Sequence, residues 1–223
     1  MKILAIDTAA NLCAACIFDT QAGELGRAVH DLGKGHAEHL MSTIEDALAA
    51  ANIAYADLGL ITVSVGPGSF TGIRVGVATA RALALALGIP AVGVTTLDAM
   101  AEEARRDFAG KEVLAAIDAR RDQLYVACYD AGGRPKFGPA IATLDEAVGM
   151  LTADIVLTGS AAEMIAERIG KDVVVAATSA TGDIAVYAKL AAGRDSASGP
   201  PRPLYLRGAD AKPQQGFAVE RKS

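Results

Sequence analysis

Two similar hairpin patterns, one near the start of the chain and one past its midpoint, constrain the fold more than any other feature of the sequence. Each reads as a buried apolar strand that ends in an aspartate, a short polar turn, and a second strand that ends in another aspartate. Asp118 lies 111 residues after Asp7, and Asp130 lies the same 111 residues after Asp19. Matched acidic ends at one constant offset indicate an internal duplication, with a chance likeness of two short hairpins as the alternative.

The rest of the pattern extends this duplication to two lobes, at 1–108 and 109–223. Each half reads as three strands followed by alternating helices and strands, with the second half trimmed and a Pro-, Gly- and Ser-rich segment from about residue 194. This alternation is typical of the α/β class, in which helices cover a mixed sheet. Two such lobes in tandem predict the duplicated ribonuclease-H-like fold of the actin-type ATPases (the ASKHA fold), whose interlobe cleft binds a nucleotide.

Helical spacing and capping residues place the helices. Apolar residues recur every three or four positions over His36–Ala51, which predicts the first helix. A Ser or Thr followed three residues later by an acidic residue predicts helix starts at Thr95, Thr143 and Ser160.

The composition excludes several classes of protein. Apolar residues make up 52% of the chain and charged residues only 21%, which excludes global disorder. The net charge of −5 argues against an extended nucleic-acid surface on this chain. No signal peptide and no apolar stretch long enough to cross a bilayer is evident, so we expect a cytoplasmic protein without membrane contact.

Cys13 and Cys16 suggest a redox or zinc pair. They fall in a strand-like run, in which positions three apart point to opposite faces of the sheet. The two sulfur atoms then diverge, and we expect reduced thiols rather than a metal or redox site.

A glycine-rich turn at 66–74 joins a predicted strand at 60–65 to a predicted helix that ends at Leu87. The turn matches neither a Walker P-loop nor a G-x-G-x-x-G fingerprint. It could receive an anion at the helix N-terminus, or its glycines could meet steric demands only. The helix is apolar or small almost all the way round, with Arg74, Thr79 and Arg81 as the main exceptions. Such a helix is buried in a core or against another molecule, and its arginines and length argue against a membrane span.

Four segments together resemble a known family. They are ILAIDT (3–8), VGPGSFTGIRVGVATAR (65–81), IDARR (117–121) and PLYLR (203–207), and they follow one another in the right order over most of the chain. The GSFTGIR run within the second segment is highly specific. These residues resemble the bacterial TsaB (formerly YeaZ) family.

The resemblance implies a non-catalytic subunit of the machinery that makes N6-threonylcarbamoyladenosine next to the tRNA anticodon. In that family the chain forms a heterodimer with TsaD, which carries the transferase chemistry, and the complex recruits the ATPase TsaE. Alone, the chain would form a homodimer, and it would touch tRNA only indirectly. The alternatives are an actin-fold small-molecule kinase or ATPase acting alone, a self-sufficient transferase, and direct tRNA binding through Arg120, Arg121, Arg202 and Arg207.

The resemblance also bears on catalysis. TsaD-like paralogues carry two metal-binding His residues at i and i+4 after the glycine-turn helix. The aligned positions here are Thr96 and Met100, and a hydroxyl and a thioether are poor ligands for a divalent cation. His36 and His39 form a close pair without an evident third ligand. We therefore expect no catalytic residue and no metal site.

Asp7, Thr8, Asp118 and Gly159 mark a vestigial nucleotide site by likeness to the actin-type fold. The glycines expected beside the two aspartates are absent, so side chains stand where the backbone would meet phosphate. We expect no required cofactor and no independent ATP hydrolysis. Weak or interface-bound nucleotide binding stays open.

The predicted interface consists of the first helix and the glycine-turn helix, which would form a bundle with the equivalent pair of TsaD. The excess apolar surface of the glycine-turn helix motivates this prediction, and ordinary core packing is the alternative. The predicted contact residues are His39, Leu40, Thr43, Ile44, Phe70, Ile73, Arg74, Val77 and Arg81.

Overall fold

The computed structural model describes residues 1–152, 154–170, 173–194 and 199–207. Its first half contains, in chain order, β1 (Lys2–Asp7), β2 (Leu12–Asp19), β3 (Gly23–Asp31), α1 (His36–Ala51), β4 (Leu58–Ser64), α2 (Phe70–Leu87), β5 (Ala91–Val94) and α3 (Thr96–Asp107). The second half repeats this order with β6 (Val113–Asp118), β7 (Leu124–Tyr129), β8 (Pro135–Ala142), α4 (Leu144–Gly149), β9 (Val156–Thr158), α5 (Ala162–Ile169), β10 (Val174–Ala177) and α6 (Ile184–Ala192).

Two five-stranded sheets with the same strand order form the two lobes. The first sheet runs β3-β2-β1-β4-β5 and the second runs β8-β7-β6-β9-β10. In each sheet the first three strands pair antiparallel, and the last two strands add in parallel. The predicted duplication is therefore confirmed at the level of topology.

The four aspartates of the repeat occupy matching turns. Asp7 and Asp118 end β1 and β6, and each carboxylate accepts a hydrogen bond from the amide two residues further on, at 2.9 and 2.7 Å. Asp19 and Asp130 do the same after β2 and β7, at 2.8 and 2.9 Å. These backbone hydrogen bonds hold the pKa of Asp19 and of Asp130 below its ordinary value. The constant offset thus reflects the same turn geometry in both halves of the chain. In each of these turns the aspartate side chain stabilises the turn that follows it by accepting a hydrogen bond from a backbone amide.

Two helices pack on the sheet of the other half. Helices α1 and α2 cover one face of the first sheet, and α6, from the second half of the chain, covers its opposite face. Helix α3, from the first half, packs on the second sheet, whose other face is covered by α4 and α5. Residue 108, the predicted boundary, lies between the last strand of the first sheet and the first strand of the second. The two sheets follow that division, whereas α3 and α6 cross it.

Cys13 and Cys16 point to opposite faces of β2, as predicted. Cys13 packs in the core beneath α1 and α2, and Cys16 packs in the core beneath α6. Both are buried free thiols, and burial raises the pKa of Cys16 to about 12.

Two of the three predicted helix caps are confirmed. The Thr95 hydroxyl accepts from the amide of Asp98 at 3.0 Å, and Thr143 forms the predicted capping box with Glu146. The cap predicted at Ser160 is wrong: α5 begins one residue later, and the Ser160 hydroxyl accepts the amide of Asp118 at 3.0 Å instead. This contact spans 42 residues, so a local pattern gives no sign of it.

Strand β8 was not located from the sequence. It carries two prolines and lies at the exposed edge of the second sheet. Proline is tolerated at such an edge because the missing N–H would face solvent rather than a neighbouring strand.

Helix α2 has the length and composition of a membrane span, contrary to the expectation from sequence. It is 18 residues long with a mean hydropathy of 1.4, and one third of it (33%) is buried. In the fold its inner side packs on the first sheet through Ile73, Val77 and Ala80. Its outer side carries Arg74 and Arg81. The helix therefore has the pattern of one packed on a sheet along a single face.

Candidate functional site

The glycines of the 66–74 turn serve close packing. A Cβ atom at Gly72 would overlap the carbonyl oxygen of Thr8, and one at Gly68 would overlap the carbonyl oxygen of Ala9. The Thr8 hydroxyl donates to the Gly72 carbonyl at 2.7 Å, and the Ser69 amide donates to the Ala9 carbonyl at 2.7 Å. The start of α2 is thereby held directly against the turn after β1. This geometry favours the steric explanation of the glycines over an anion site.

Asp7 belongs to a closed, buried hydrogen-bond network. Its carboxylate accepts hydrogen bonds from the Ala9 amide, at 2.9 Å, and from the Thr181 hydroxyl. The Thr181 oxygen in turn lies 2.8 Å from the Tyr187 hydroxyl on α6. Burial raises the pKa of Asp7, because desolvation disfavours the charged carboxylate. Asp7 therefore ties the turn after β1 to the segment that leads into α6.

A cleft of about 410 Å³ lies between the turns of the two lobes. It is lined by Ala9, Ala10, Asn11, Gly33, Gly68, Ser69, Ile117, Asp118, Ala119, Arg120, Tyr125, Ser160 and Ala180. Of the four residues of the predicted vestigial site, only Asp118 is among them. Asp7 and Thr8 are buried, and Gly159 packs so tightly on the Ala116 carbonyl that a side chain there would collide with it.

The residues at this cleft do not fit a Mg²⁺-nucleotide. The Asp7 carboxylate and the Thr8 hydroxyl already bond to the protein itself. Within the described ranges, no group of three or more His, Cys, Asp or Glu residues is placed to hold a metal ion. Hard divalent cations need several oxygen ligands, and Asp118 by itself supplies one carboxylate.

Three of the four residues considered for metal binding are engaged in packing. Thr96 and Met100 are buried on the inner side of α3, where Met100 belongs to the core of the second lobe. His36 is buried, and its Nε2 lies 3.2 Å from the Leu12 carbonyl. His39, three residues on, is exposed, so the two rings do not converge on a common site.

The structure divides the nine predicted interface residues into two groups. The core of the first lobe contains Leu40, Thr43, Ile44, Ile73 and Val77, each at most 3% exposed. These five present no surface to a partner, because α1 and α2 turn those positions toward the sheet. The exposed group consists of His39, Phe70, Arg74 and Arg81. The structure therefore limits the predicted contact surface to these four residues.

The exposed face of α2 is longer than the predicted set. Leu85 is 85% exposed and Phe70 is 42% exposed, with the small residues Ala78 and Ala82 between them. Beside the C-terminal half of the helix lies a groove of about 500 Å³, lined by Arg81, Ala82, Ala84, Leu85, Gly88, Ile89, Ala91 and Pro200. Leu85 is not among the nine predicted contact residues, and it is the most exposed large apolar residue of the described chain.

A residue from the end of the described chain completes this face. The Tyr205 ring lies tilted against the Phe70 ring with centroids 5.2 Å apart, and the Tyr205 hydroxyl accepts a hydrogen bond from Nε of Arg74 at 2.7 Å. The Arg74 guanidinium lies 3.7 Å from the centre of the Phe70 ring. The Leu204 amide donates to the Val65 carbonyl at 2.8 Å, which fixes the segment beside the glycine turn. Sequence reasoning missed Tyr205 as a site residue; its signal was the apolar LYL run in an otherwise polar tail.

Comparison with known proteins identifies the family. The model described as "TsaD: tRNA N6-adenosine threonylcarbamoyltransferase" matches residues 30–197, about three quarters of the chain. The Escherichia coli (strain K12) tRNA threonylcarbamoyladenosine biosynthesis protein TsaB is 36% identical over 129 residues, which are 58% of this chain and 55% of that protein. The chain belongs to the TsaD-like family, in its TsaB/YeaZ branch. The chain thus spans little more than half the length of this TsaB relative.

Solved structures confirm the fold. A Pseudomonas aeruginosa protein described as similar to the peptidase YeaZ has a TM-score of 0.77 at 26% identity, covering 92% of this chain and 99% of that one. The activator of 2-hydroxyisocaproyl-CoA dehydratase from Clostridium difficile has a TM-score of 0.50 at 11% identity, covering 84% of this chain and 93% of that one. The latter likeness shows the fold alone. The predicted α/β, actin-type duplicated fold of this TsaB/YeaZ chain is confirmed.

Proposed function

We propose that this TsaB/YeaZ chain works in tRNA threonylcarbamoyladenosine biosynthesis as a non-catalytic subunit that binds a TsaD transferase. The name of the E. coli relative and the family match support the pathway. The main support for the binding role is the outer face of α2. Phe70 and Leu85 are exposed there, and the helix contains no acidic residue. An exposed apolar surface of this kind marks an interaction site.

The action on TsaD would be a shift between conformations. A bound subunit changes the partner's equilibrium only if it binds one state more tightly than the other. We propose that this chain binds the competent state of TsaD better and thereby activates it. Recruitment of TsaE would follow from the assembled complex, and tRNA contact would be indirect. We further propose a cytoplasmic location, no membrane contact, and a homodimer when no TsaD is present.

Leu85→Glu tests the proposed surface. In the complex, the carboxylate introduced at position 85 would be buried and would lose its hydration without gaining a hydrogen-bond or charge partner. Binding to TsaD should therefore weaken by at least about 2 kcal/mol, or roughly thirtyfold. The measurement is isothermal titration of the purified chain with purified TsaD from the same organism. Met164→Glu on α5 is the matched control, because Met164 is also exposed (41%) but lies on the second lobe. Equal affinity of the Leu85→Glu variant and the parent chain would contradict the proposed function.

A further inference from the structure

Arg74 is held rigidly at the surface. Its guanidinium lies over the Phe70 ring at 3.7 Å and near the Tyr205 ring at 5.4 Å, and its Nε donates to the Tyr205 hydroxyl. In the described part of the chain, no carboxylate lies within 4.0 Å of its nitrogens, and its two Nη groups have no hydrogen-bond acceptor. Among the described residues, this cation is thus fixed in place without a neutralising carboxylate.

A second arginine stands on the same face. Arg81 follows Arg74 by seven residues, or two helical turns, which separates their backbones by about 10.5 Å. It is exposed, and no described carboxylate pairs with it. Helix α2 contains no acidic residue, although the whole chain has a net charge of −5. The exposed face is therefore locally basic on an acidic protein, with the small residues Ala78 and Ala82 at its centre.

These features fit a partner that presents carboxylates. A guanidinium fixed by aromatic stacking loses little side-chain entropy on binding, and its Nη groups can still form a forked pair with a carboxylate. Arginine and tyrosine, with tryptophan, are enriched among the residues that contribute most of the binding free energy of interfaces. Pairing of α2 with α2 of a second copy would instead bring like charges together, which costs free energy. For direct α2–α2 contact, the charge pattern thus favours a different chain over a second copy; the proposed homodimer would have to keep these arginines apart.

We propose that Arg74, positioned by Phe70 and Tyr205, binds a carboxylate on a helix of the partner, and that Arg81 binds a second carboxylate two turns along. This proposal rests on the proposed function, in which the partner is TsaD. Tyr205 acts as a positioning residue: it reaches α2 from 131 residues away in sequence and holds Arg74 in the orientation that the carboxylate meets. The described segment at Leu204 and Tyr205 would thus be part of the docking surface.

The test measures TsaD affinity by isothermal titration for four variants. Arg74→Gln should weaken binding at least tenfold, and Arg74→Lys should give an intermediate loss because it keeps the charge without the fork. Tyr205→Ala should weaken binding several-fold, whereas Tyr205→Phe keeps the ring and should recover most of that loss. Arg106→Gln, an exposed arginine on α3, is the matched control and should leave the affinity unchanged.

Salt dependence separates charge pairing from a structural role. The affinity of the parent chain should fall between about 50 and 300 mM salt, and the Arg74→Gln, Arg81→Gln double variant should show a flatter dependence. Thermal melting of each variant reports whether its fold is intact, and Arg74→Gln should melt with the parent because the side chain is exposed.

The outcomes separate this proposal from the proposed function. If Arg74→Gln and Tyr205→Ala bind TsaD as the parent does while Leu85→Glu does not, apolar contact explains docking and the carboxylate proposal is overturned. If these variants change only self-association of the chain, measured by sedimentation, the proposal is likewise overturned. If Leu85→Glu also binds normally, the proposed function itself fails.

Discussion

Single residues at the start of α2 show how tightly its contact with the first sheet is built. Because Gly72 has no side chain, its backbone can pack directly against the Thr8 carbonyl. The Thr8 hydroxyl donates a hydrogen bond of 2.7 Å to the Gly72 carbonyl. Asp7, one residue earlier, is buried and bonded to Thr181. The residues that the fold would offer to a nucleotide are thus used as internal contacts.

Gly72→Ala should therefore destabilise the protein strongly. The added methyl group would overlap backbone atoms, which cannot move aside as a flexible side chain does. The expected loss is about 2–3 kcal/mol in the free energy of unfolding, measured by urea denaturation. Gly149→Ala in α4 is the control: a Cβ there meets nothing within 4 Å, so stability should stay level or rise by up to about 1 kcal/mol. Equal stability of the Gly72→Ala variant and the parent would show that α2 is not seated on the turn after β1.

At the scale of elements, α6 decides how the first lobe is completed. Its Tyr187 is the largest fully buried side chain of the described chain, and the helix packs on the face of the first sheet that carries Ile3, Ala5 and Leu60. Conversely, helix α3 belongs to the first half of the chain but packs on the second sheet. Each lobe therefore depends on a helix from the other half of the chain.

A fragment that ends at residue 108 should not fold by itself. Removing the second half removes α6 and exposes the apolar face that α6 covers, which leaves a sheet with one open side. We expect low solubility and no cooperative urea transition by circular dichroism. A fragment of residues 1–207 keeps both exchanged helices and should unfold cooperatively, as the full chain does. Cooperative unfolding of the 1–108 fragment would show that the lobe is independent of α6.

At the scale of the whole molecule, a two-lobed fold surrounds a cleft whose residues do not fit a Mg²⁺-nucleotide, while the outer face of α2 is exposed among the described residues. The cleft is small, at about 410 Å³, and Asp118 is its one contribution from the predicted nucleotide site. The α2 face lies on the outside of the first lobe and includes Tyr205 from the end of the described chain. The distribution of these features favours binding over chemistry.

The isolated chain should accordingly form no product. Incubated with ATP, threonine, bicarbonate and tRNA, it should release neither ADP nor modified tRNA above a protein-free blank. The full set of partner proteins should give product in the same assay, which verifies the reagents. Turnover by the chain without partners, retained in an Asp118→Asn variant as well, would point to an enzyme with a site elsewhere; turnover lost in that variant would place the chemistry in the cleft. Either form of turnover would contradict the non-catalytic role.

Local pattern predicted a large part of this protein. The bounds of α1 and the duplicated hairpins were predicted from periodicity and spacing. This was possible because the order of apolar and polar residues along a helix or strand directly reflects which of them are buried. The aspartates of the repeat were informative for the same reason, since each bonds an amide only two residues away. The resemblance to the TsaB/YeaZ family, through four short segments, was confirmed.

The tertiary structure alone decided the use of these elements. Helix α2 is apolar almost all round, so its sequence could not say that Ile73 and Val77 face the sheet while Leu85 faces outward. The Thr181 hydroxyl that bonds Asp7 lies 174 residues away in sequence, and the Tyr205 hydroxyl that bonds Arg74 lies 131 residues away. Such contacts depend on which distant segments of the chain come together in the folded protein, and a local sequence pattern does not predict that. The sequence by itself determined most of the elements and their order; packing decided which of their faces are buried and which are exposed.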